Sequence, residues 1–334
     1  MLLNDRIKSF ETLGIRLKNL SEEELEELCL GAKNENAWFV DDNIKLALDG
    51  VGLFLNKTNL ESWLGSYQIN AVNPKKIGVI AAGNIPLVGF HDVMCVLLSG
   101  HYLMIKMSSK DGVLMRFVLE ELFKIEPKYK PQVTFVERMN EADAFIATGS
   151  DNTARYFEYY FKDKPNVIRR NRTSVAVLTG KETAEDFRNL GHDIFQYYGL
   201  GCRNVSKVFV PKDYNFSPFL DALKPYEPII HHHKYRNNYD YNKSIYLVNS
   251  EPFLDTEFLM VRESEDLVSP ISVLYYQEYS DNKMLVSYLN DNADKIQCVV
   301  GADDDQIPFG QAQQPGVSDY ADGVDTMAFL TGLS

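Results

Sequence analysis

The chain has 334 residues, 24% of them charged and 45% drawn from AVILMFWYC, an ordinary globular composition that excludes a disordered or fibrous chain. Its 47 acidic and 34 basic side chains leave a formal charge of −13, which argues against nucleic acid or an anionic membrane as the main partner, since both reward a basic surface. The length suggests roughly two domains. Cysteines at 29, 95, 202 and 298 are too dispersed for a disulfide framework or a structural zinc site. With no apolar run of about 18 residues and no signal-like core, a reduced cytoplasmic protein without a membrane span is expected.

In chain order, the first seventy residues read as helical. Ser21 and Glu24 form a capping box, and Leu25, Leu28 and Cys29 share a face before Gly31. Ser62 to Lys75 is polar, holds Trp63, Tyr67 and Pro74, and is expected as a strand or a projecting arm. From residue 76 strands and helices alternate. Strands are expected at 77–82, 102–106, 132–136 and 144–147, and helices at 88–99, 111–125 and 150–161, which implies a parallel sheet covered on both faces. The second half continues with strands at 174–178, 205–210, 244–248, 258–261, 271–276 and 295–300 and a helix at 184–198. The Tyr- and Asn-rich segment Lys234 to Lys243 reads as an exposed loop. Cys29, Cys95 and Cys298 fall in predicted elements and read as core thiols.

Cys202 differs from the other three. It follows Gly199-Leu200-Gly201 in a predicted loop, with Arg203 and Lys207 near enough in sequence to favour thiolate, the form that attacks carbonyls; the other reading is a small residue in a tight turn. Asn84, in Gly83-Asn84-Ile85-Pro86 at a strand end, is placed either to donate to a developing oxyanion or simply to make the turn. Lys106, Ser108 and Ser109 follow the next strand, and Thr148-Gly149-Ser150 open a helix whose N-terminus can face a phosphate or cofactor. Carboxyl ends of strands in such sheets are where ligands bind. No G-x-G-x-x-G is present, and Gly50-Val51-Gly52 lies in a helical stretch. His231-His232-His233 and Asp303-Asp304-Asp305 lack the spacing of a metal site, and no metal is expected.

The order of these turns resembles the aldehyde dehydrogenase superfamily. Gly83-Asn84-Ile85-Pro86 is similar to its Trp-Asn-Phe-Pro turn, Lys106-Met107-Ser108-Ser109 to its Lys-Pro-Ser-Glu ribose segment, and Ala147-Thr148-Gly149-Ser150 to Phe-Thr-Gly-Ser. Gly199 to Cys202 resembles the catalytic cysteine segment, and Asp266-Leu267-Val268-Ser269-Pro270 echoes Glu-Ile-Phe-Gly-Pro. The resemblance implies an α/β fold with a doubly wound cofactor domain, an α/β catalytic domain and an oligomerisation arm. It also implies Cys202 as nucleophile, Asn84 as oxyanion donor, and Lys106, Ser108, Ser109, Thr148, Gly149, Ser150 and Asp266 at the nicotinamide cofactor.

Where aldehyde-oxidising members carry Glu-Leu-Gly-Gly-Lys, this chain has Ile168-Arg169-Arg170-Asn171-Arg172. Without that carboxylate no base activates water against a thioester, so a thiol such as coenzyme A enters and leaves instead. The likeness within the superfamily is to the LuxC-like fatty acyl-CoA reductases, carried by Tyr198 to Lys207, Phe309-Gly310-Gln311 and Asp319 to Thr326. It implies reduction of a fatty acyl-CoA to an aldehyde by NADPH or NADH, with coenzyme A released and a homo-oligomer as the assembly. Ser109 followed by Lys110 leans toward NADPH. Two rivals stand beside this: an acyl-phosphate reductase of the same fold, using Arg169, Arg170 and Arg172, and a catalytically silent nucleotide-binding homologue. The expected division is a cofactor domain over 1–195 with an arm at 62–75, a catalytic domain over 196–310 with the site in the cleft between them, and a tail at 311–334 able to supply an oligomerisation strand.

Overall fold

A computed structural model of the chain describes residues 1–69 and 73–333. The chain divides into two compact units, Met1–Asn171 with Gly316–Ser334, and Arg172–Pro315. The first opens with helices α1 (Leu3–Lys18), α2 (Glu22–Glu35), α3 (Asp41–Phe54) and α4 (Lys57–Leu64). The Ser21–Glu24 capping box starts α2 as its sequence predicts. There follow β1 (Lys76–Ile80), α5 (Phe90–Ser99), β2 (Tyr102–Lys106), α6 (Gly112–Ile125), β3 (Val133–Phe135), β4 (Ala144–Thr148), α7 (Asp151–Phe161) and β5 (Asn166–Arg169). The strands form a parallel sheet in the order β3-β2-β1-β4-β5.

Helix α5 lies against that sheet and under α1, and Val93 to Leu98 are each fully buried there. This accounts for its nearly continuous apolar sequence, since a helix apolar all round is a core helix. On the second face, the 136–143 connection between β3 and β4 contains no helix. Met139 and Ala142 of that connection pack on Met104 and Phe145, and Phe161 of α7 stacks on Phe145 at 3.8 Å.

The second unit holds β6 (Thr173–Val177), α8 (Ala184–Phe195), β7 (Val205–Pro211), α9 (Ser217–Ala222), α10 (His233–Val248), β8 (Leu254–Asp255), β9 (Met260–Glu263), β10 (Val273–Tyr279), α11 (Asn282–Asp291) and β11 (Ile296–Val300). Its sheet runs β11-β6-β7-β10-β9-β8, parallel except for the β8–β9 pair. The chain then returns to the first unit, where α12 (Thr326–Thr331) packs on α5. No helix among the described residues is long and apolar enough to cross a membrane.

Several expectations are corrected. The units divide at Asn171 and not near residue 195, because α8 buries Phe187, Leu190 and Ile194 within the second unit and packs on β7 and α9. The expected loop at 234–243 and strand at 244–248 are one helix, α10, whose buried Tyr235, Tyr239, Asn242 and Tyr246 recur at helical spacing. The expected arm does not project at Ser62–Tyr67. Trp63 is buried and donates its indole N–H to the Tyr320 hydroxyl at 2.7 Å. Tyr67 donates to Asp325 at 2.8 Å, so the 2.7 Å contact between the two tyrosines uses the Tyr320 proton. The part of the arm at 70–72 lies outside the described residues. Residues 326–331 of the expected tail strand are helical, and His101 holds this segment at the Leu330 carbonyl.

Candidate functional site

In the first unit the strand order reverses between β1 and β4, the place where open α/β sheets bind ligands beyond their carboxyl ends. Ile80 is in register with both Lys106 and Ala147. The three predicted turns after β2, β1 and β4 therefore stand side by side, with about 5 Å from strand to strand.

The central turn is tightly built. A Cβ on Gly83 would sit 2.4 Å from the Ser108 hydroxyl oxygen, so only glycine permits this approach. Asn84 follows it on the exposed surface. Leu87 takes a positive φ of 56° and donates its backbone N–H to Asp111 at 2.8 Å. Asp111 is buried, with its second carboxyl oxygen unpartnered, and burial pushes its pKa up to about 8. The native state therefore keeps a proton that the unfolded carboxylate loses near pH 4. The stability this contributes is present below pH 4 and is lost as the pH rises through about 8. Asp111→Asn retains an acceptor for Leu87. Urea unfolding from pH 5 to 8.5 should show the variant gaining on the wild type as pH rises; parallel profiles would refute the shift.

The turn after β2 opens onto a groove of about 1060 Å³. Lys106, Ser108 and Ser109 line it with Phe135 and Glu137 from the end of β3 and Arg116 from α6. The Arg116 guanidinium lies 4.8 Å over the Phe135 ring. Glu35 of α2 occupies the start of α6, accepting from the N–H groups of Gly112 and Val113 at 2.8 and 2.9 Å. After β4, Ser150 caps α7 by accepting from the Thr153 N–H, and Gly149 donates to the Arg169 carbonyl. Thr148, Gly149 and Ser150 do not line the groove. The adjacent strand ends, the glycine-only approach and the size of the groove suit a dinucleotide. Lys106, Ser108 and Ser109 would hold its ribose side.

In the second unit Cys202 sits half-buried in the loop between α8 and β7, outside any disulfide. The backbone leading to it is strained: Tyr197, Tyr198 and Gly199 all take positive φ, at 52°, 58° and 76°. Such conformations cost about 1–3 kcal/mol each for residues other than glycine and cluster at functional sites. Two anchors hold the loop from β6. The Ser174 hydroxyl donates to the Cys202 carbonyl at 3.1 Å, and the Ser174 N–H donates to the Asn204 carbonyl at 2.9 Å.

Arg203 and Lys207, expected to favour thiolate, direct their side chains to backbone carbonyls elsewhere, those of Ala312 and Glu265. Burial pulls the Lys207 ammonium down to about 8, against the pull of Asp266 and Glu265. Asp266 is exposed in the loop after β9.

Cys29 and Cys95 are buried thiols whose pKa burial raises, as core residues should be. Cys298 is only partly buried, and its sulfur lies 3.0 Å from the Ser174 hydroxyl. Among the described residues no group of three His, Cys, Asp or Glu side chains could hold a metal, and His232 instead caps α10. The arginines proposed to grip a phosphate are engaged. Arg169 pairs with Asp92 in the buried interior, Arg170 pairs with Glu158, and Arg172 donates to the Ala293 and Ile296 carbonyls. Sequence reading passed over Glu35, Asp111 and Ser174, each of which acts on a partner 24 or more residues away. The motif-like turns beside them were the only local pointer.

A family described as acyl-CoA reductase (LuxC) matches residues 34–219. A long-chain acyl-protein thioester reductase of Aliivibrio fischeri is 24% identical over 271 residues, covering 70% of this chain and 55% of that protein. The chain thus spans about half the length of the curated relative it matches. Among solved structures, the aldehyde dehydrogenase KauB of Pseudomonas aeruginosa aligns with a TM-score of 0.67 at 13% identity, over 90% of this chain and 72% of that one. An aldehyde dehydrogenase of Bacillus cereus, solved with NAD+, aligns with a TM-score of 0.64 at 14% identity, over 91% and 72%. These likenesses show the fold to be that of the aldehyde dehydrogenases.

Proposed function

The chain belongs to the acyl-CoA reductase (LuxC) family, and from that membership we propose that it is an oxidoreductase converting a fatty acyl thioester to an aldehyde with a reduced nicotinamide cofactor. Cys202 thiolate attacks the thioester carbonyl. The Cys202 backbone N–H stabilises the oxyanion, and the family resemblance implies Asn84 as a second donor, each such donor contributing about 3 kcal/mol in acyl transfer. The C–S bond to coenzyme A breaks, CoA leaves as thiolate, and the acyl group remains on Cys202. A reduced nicotinamide, when bound, would supply the hydride that takes that acyl carbon to the aldehyde level. Collapse of the resulting hemithioacetal oxyanion expels the Cys202 thiolate and frees the aldehyde.

The observation that carries this reading furthest is the segment Ile168–Arg172, which offers no carboxylate to activate water. Its arginines also bear on the acyl-phosphate alternative. With Arg169 and Arg170 in ion pairs and Arg172 on backbone carbonyls, the basic cluster that such a phosphate would need is engaged in holding structure.

An acyl-protein thioester is the second reading of the substrate, favoured by the name of the Aliivibrio relative. Either donor leaves the same adduct on Cys202 and differs only in the departing thiol. Ser109 followed by Lys110 supports NADPH over NADH, since no carboxylate in that segment repels a 2′-phosphate. The family likeness supports a homo-oligomer, which light scattering reads directly. Intact-mass spectrometry after incubation with a long-chain acyl-CoA tests the central claim: the wild type should gain one acyl group at Cys202 and lose it, as aldehyde, on addition of NADPH. An unmodified mass would overturn it. Asn84→Ala should lower kcat by about 10²–10³ with unchanged thermal unfolding; a kcat within threefold of wild type would remove Asn84 from its role.

A further inference from the structure

Lys207 is fully buried on β7, and lysine is almost never so unless paired with a carboxylate. Here no carboxylate pairs with it among the described residues. Its ammonium donates instead to the Glu265 carbonyl at 3.0 Å, the Gln277 side-chain oxygen at 2.7 Å and the Tyr288 hydroxyl at 3.5 Å. The rings of Phe209 and Tyr288 lie 5.3 and 5.1 Å from it. Glu265 belongs to the loop between β9 and β10, and its carbonyl also accepts from Tyr288 at 3.3 Å. One residue before Lys207, the Ser206 hydroxyl donates to the Leu267 carbonyl of the same loop at 2.9 Å.

Consecutive strand residues ordinarily point to opposite faces. The pairing of β6 with β7 slips here: Ser174 pairs with Val205 and Val175 with Lys207, leaving Ser206 as the extra residue of a bulge. A bulge re-aims side chains locally, which lets Ser206 and Lys207 reach one loop. The two carbonyls they hold flank Asp266.

We propose that Lys207 is a positioning residue, turned by the Ser206 bulge onto the loop at 264–268 so that Asp266 is presented to the nicotinamide ribose. This rests on the reading above, in which Asp266 serves the cofactor. It adds that the strand beginning just beyond Cys202 also sets the cofactor loop, so nucleophile and ribose contact share one scaffold. Burying an amine with the Asp266 and Glu265 carboxylates near it but neither in an ion pair with it is costly, and the return is a loop fixed from beneath by donors that water cannot displace.

The test is a double-mutant cycle on cofactor binding, read by NADPH quenching of protein fluorescence and repeated with NADH. Lys207→Met and Asp266→Asn should each weaken NADPH binding about tenfold, and the double variant should be little weaker than either, because both remove one interaction. Acylation of Cys202 by acyl-CoA, followed by mass, should stay within threefold of wild type in Lys207→Met. Unaltered NADPH binding, effects that multiply in full, or acylation falling in step with binding would each overturn the assignment. Should Lys207→Met fail to fold, Tyr288→Phe removes the other donor to Glu265 and runs the same cycle, with an expected two- to threefold weakening and the same overturning outcomes. Absence of any wild-type adduct at Cys202 would count against the thioester reading. A wild-type adduct with unchanged NADPH binding in the variants would count against Lys207 alone.

Discussion

Cys202→Ala should form no acyl adduct and should lose acyl-CoA-dependent oxidation of NADPH by about 10⁴-fold or more, the scale seen when a nucleophile acting within a catalytic unit is removed. The loop geometry makes this a clean experiment. Ser174 holds position 202 through its backbone carbonyl, and Asn204 is held the same way, so alanine leaves both anchors in place. The other thiols supply controls. Cys29 and Cys95 are buried with raised pKa and offer little thiolate. Cys298 is the partly exposed competitor beside Ser174, and Cys298→Ser should keep full adduct formation. An adduct that persists in Cys202→Ala and vanishes in Cys298→Ser would transfer the nucleophile to β11.

The second large effect is on stability. Arg169 ends β5, Asp92 lies on α5 and Thr326 begins α12. Arg169 reaches Asp92 at 2.5 Å and the Thr326 hydroxyl at 2.7 Å, all in the buried interior of the first unit. Burial works against the guanidinium charge, and the facing Asp92 carboxylate more than restores it. Arg169→Met would leave Asp92 buried without its counter-ion, which costs about 3–5 kcal/mol. For a unit of this size that corresponds to a fall in Tm on the order of 10 °C. Arg169→Met with Asp92→Leu should recover most of the loss, because no charge is then left unpaired. Thermal unfolding of the two single variants and the double separates the cases. If Arg169→Met melts with the wild type, the pair is dispensable.

What the sequence disclosed follows from how local each signal is. The ends of β1, β2 and β4 were legible because buried apolar runs stop abruptly at Gly83, Lys106 and Thr148, where glycine, serine and proline punctuate the chain. Helix α10 was missed for a related reason. Ser244 to Val248 has the β-branched and aromatic character of a strand over five residues, while the helical signal resides in Tyr235, Tyr239, Asn242 and Tyr246 across a longer window. At the candidate site, Cys202 and Asn84 were conspicuous beside glycines. The groups that shape their surroundings were not. Asp111 acts across 24 residues and Ser174 across 28, and such separations leave no periodicity in one sequence.

The return of residues 316–333 to the first unit bears on how the protein comes to be folded. The second unit is inserted within the first, so Tyr320, Asp325 and Thr326 are synthesised only after all of Arg172–Pro315. Domains generally fold as they emerge, the earlier one first. Here the inserted unit can finish while the first still exposes Trp63, His91 and the charged pair of Asp92 and Arg169, the surface that the 316–333 segment later covers. Completion of the first unit therefore waits on residues that are synthesised last. Until residues 316–333 have been made, the first unit lacks the segment that closes over these side chains.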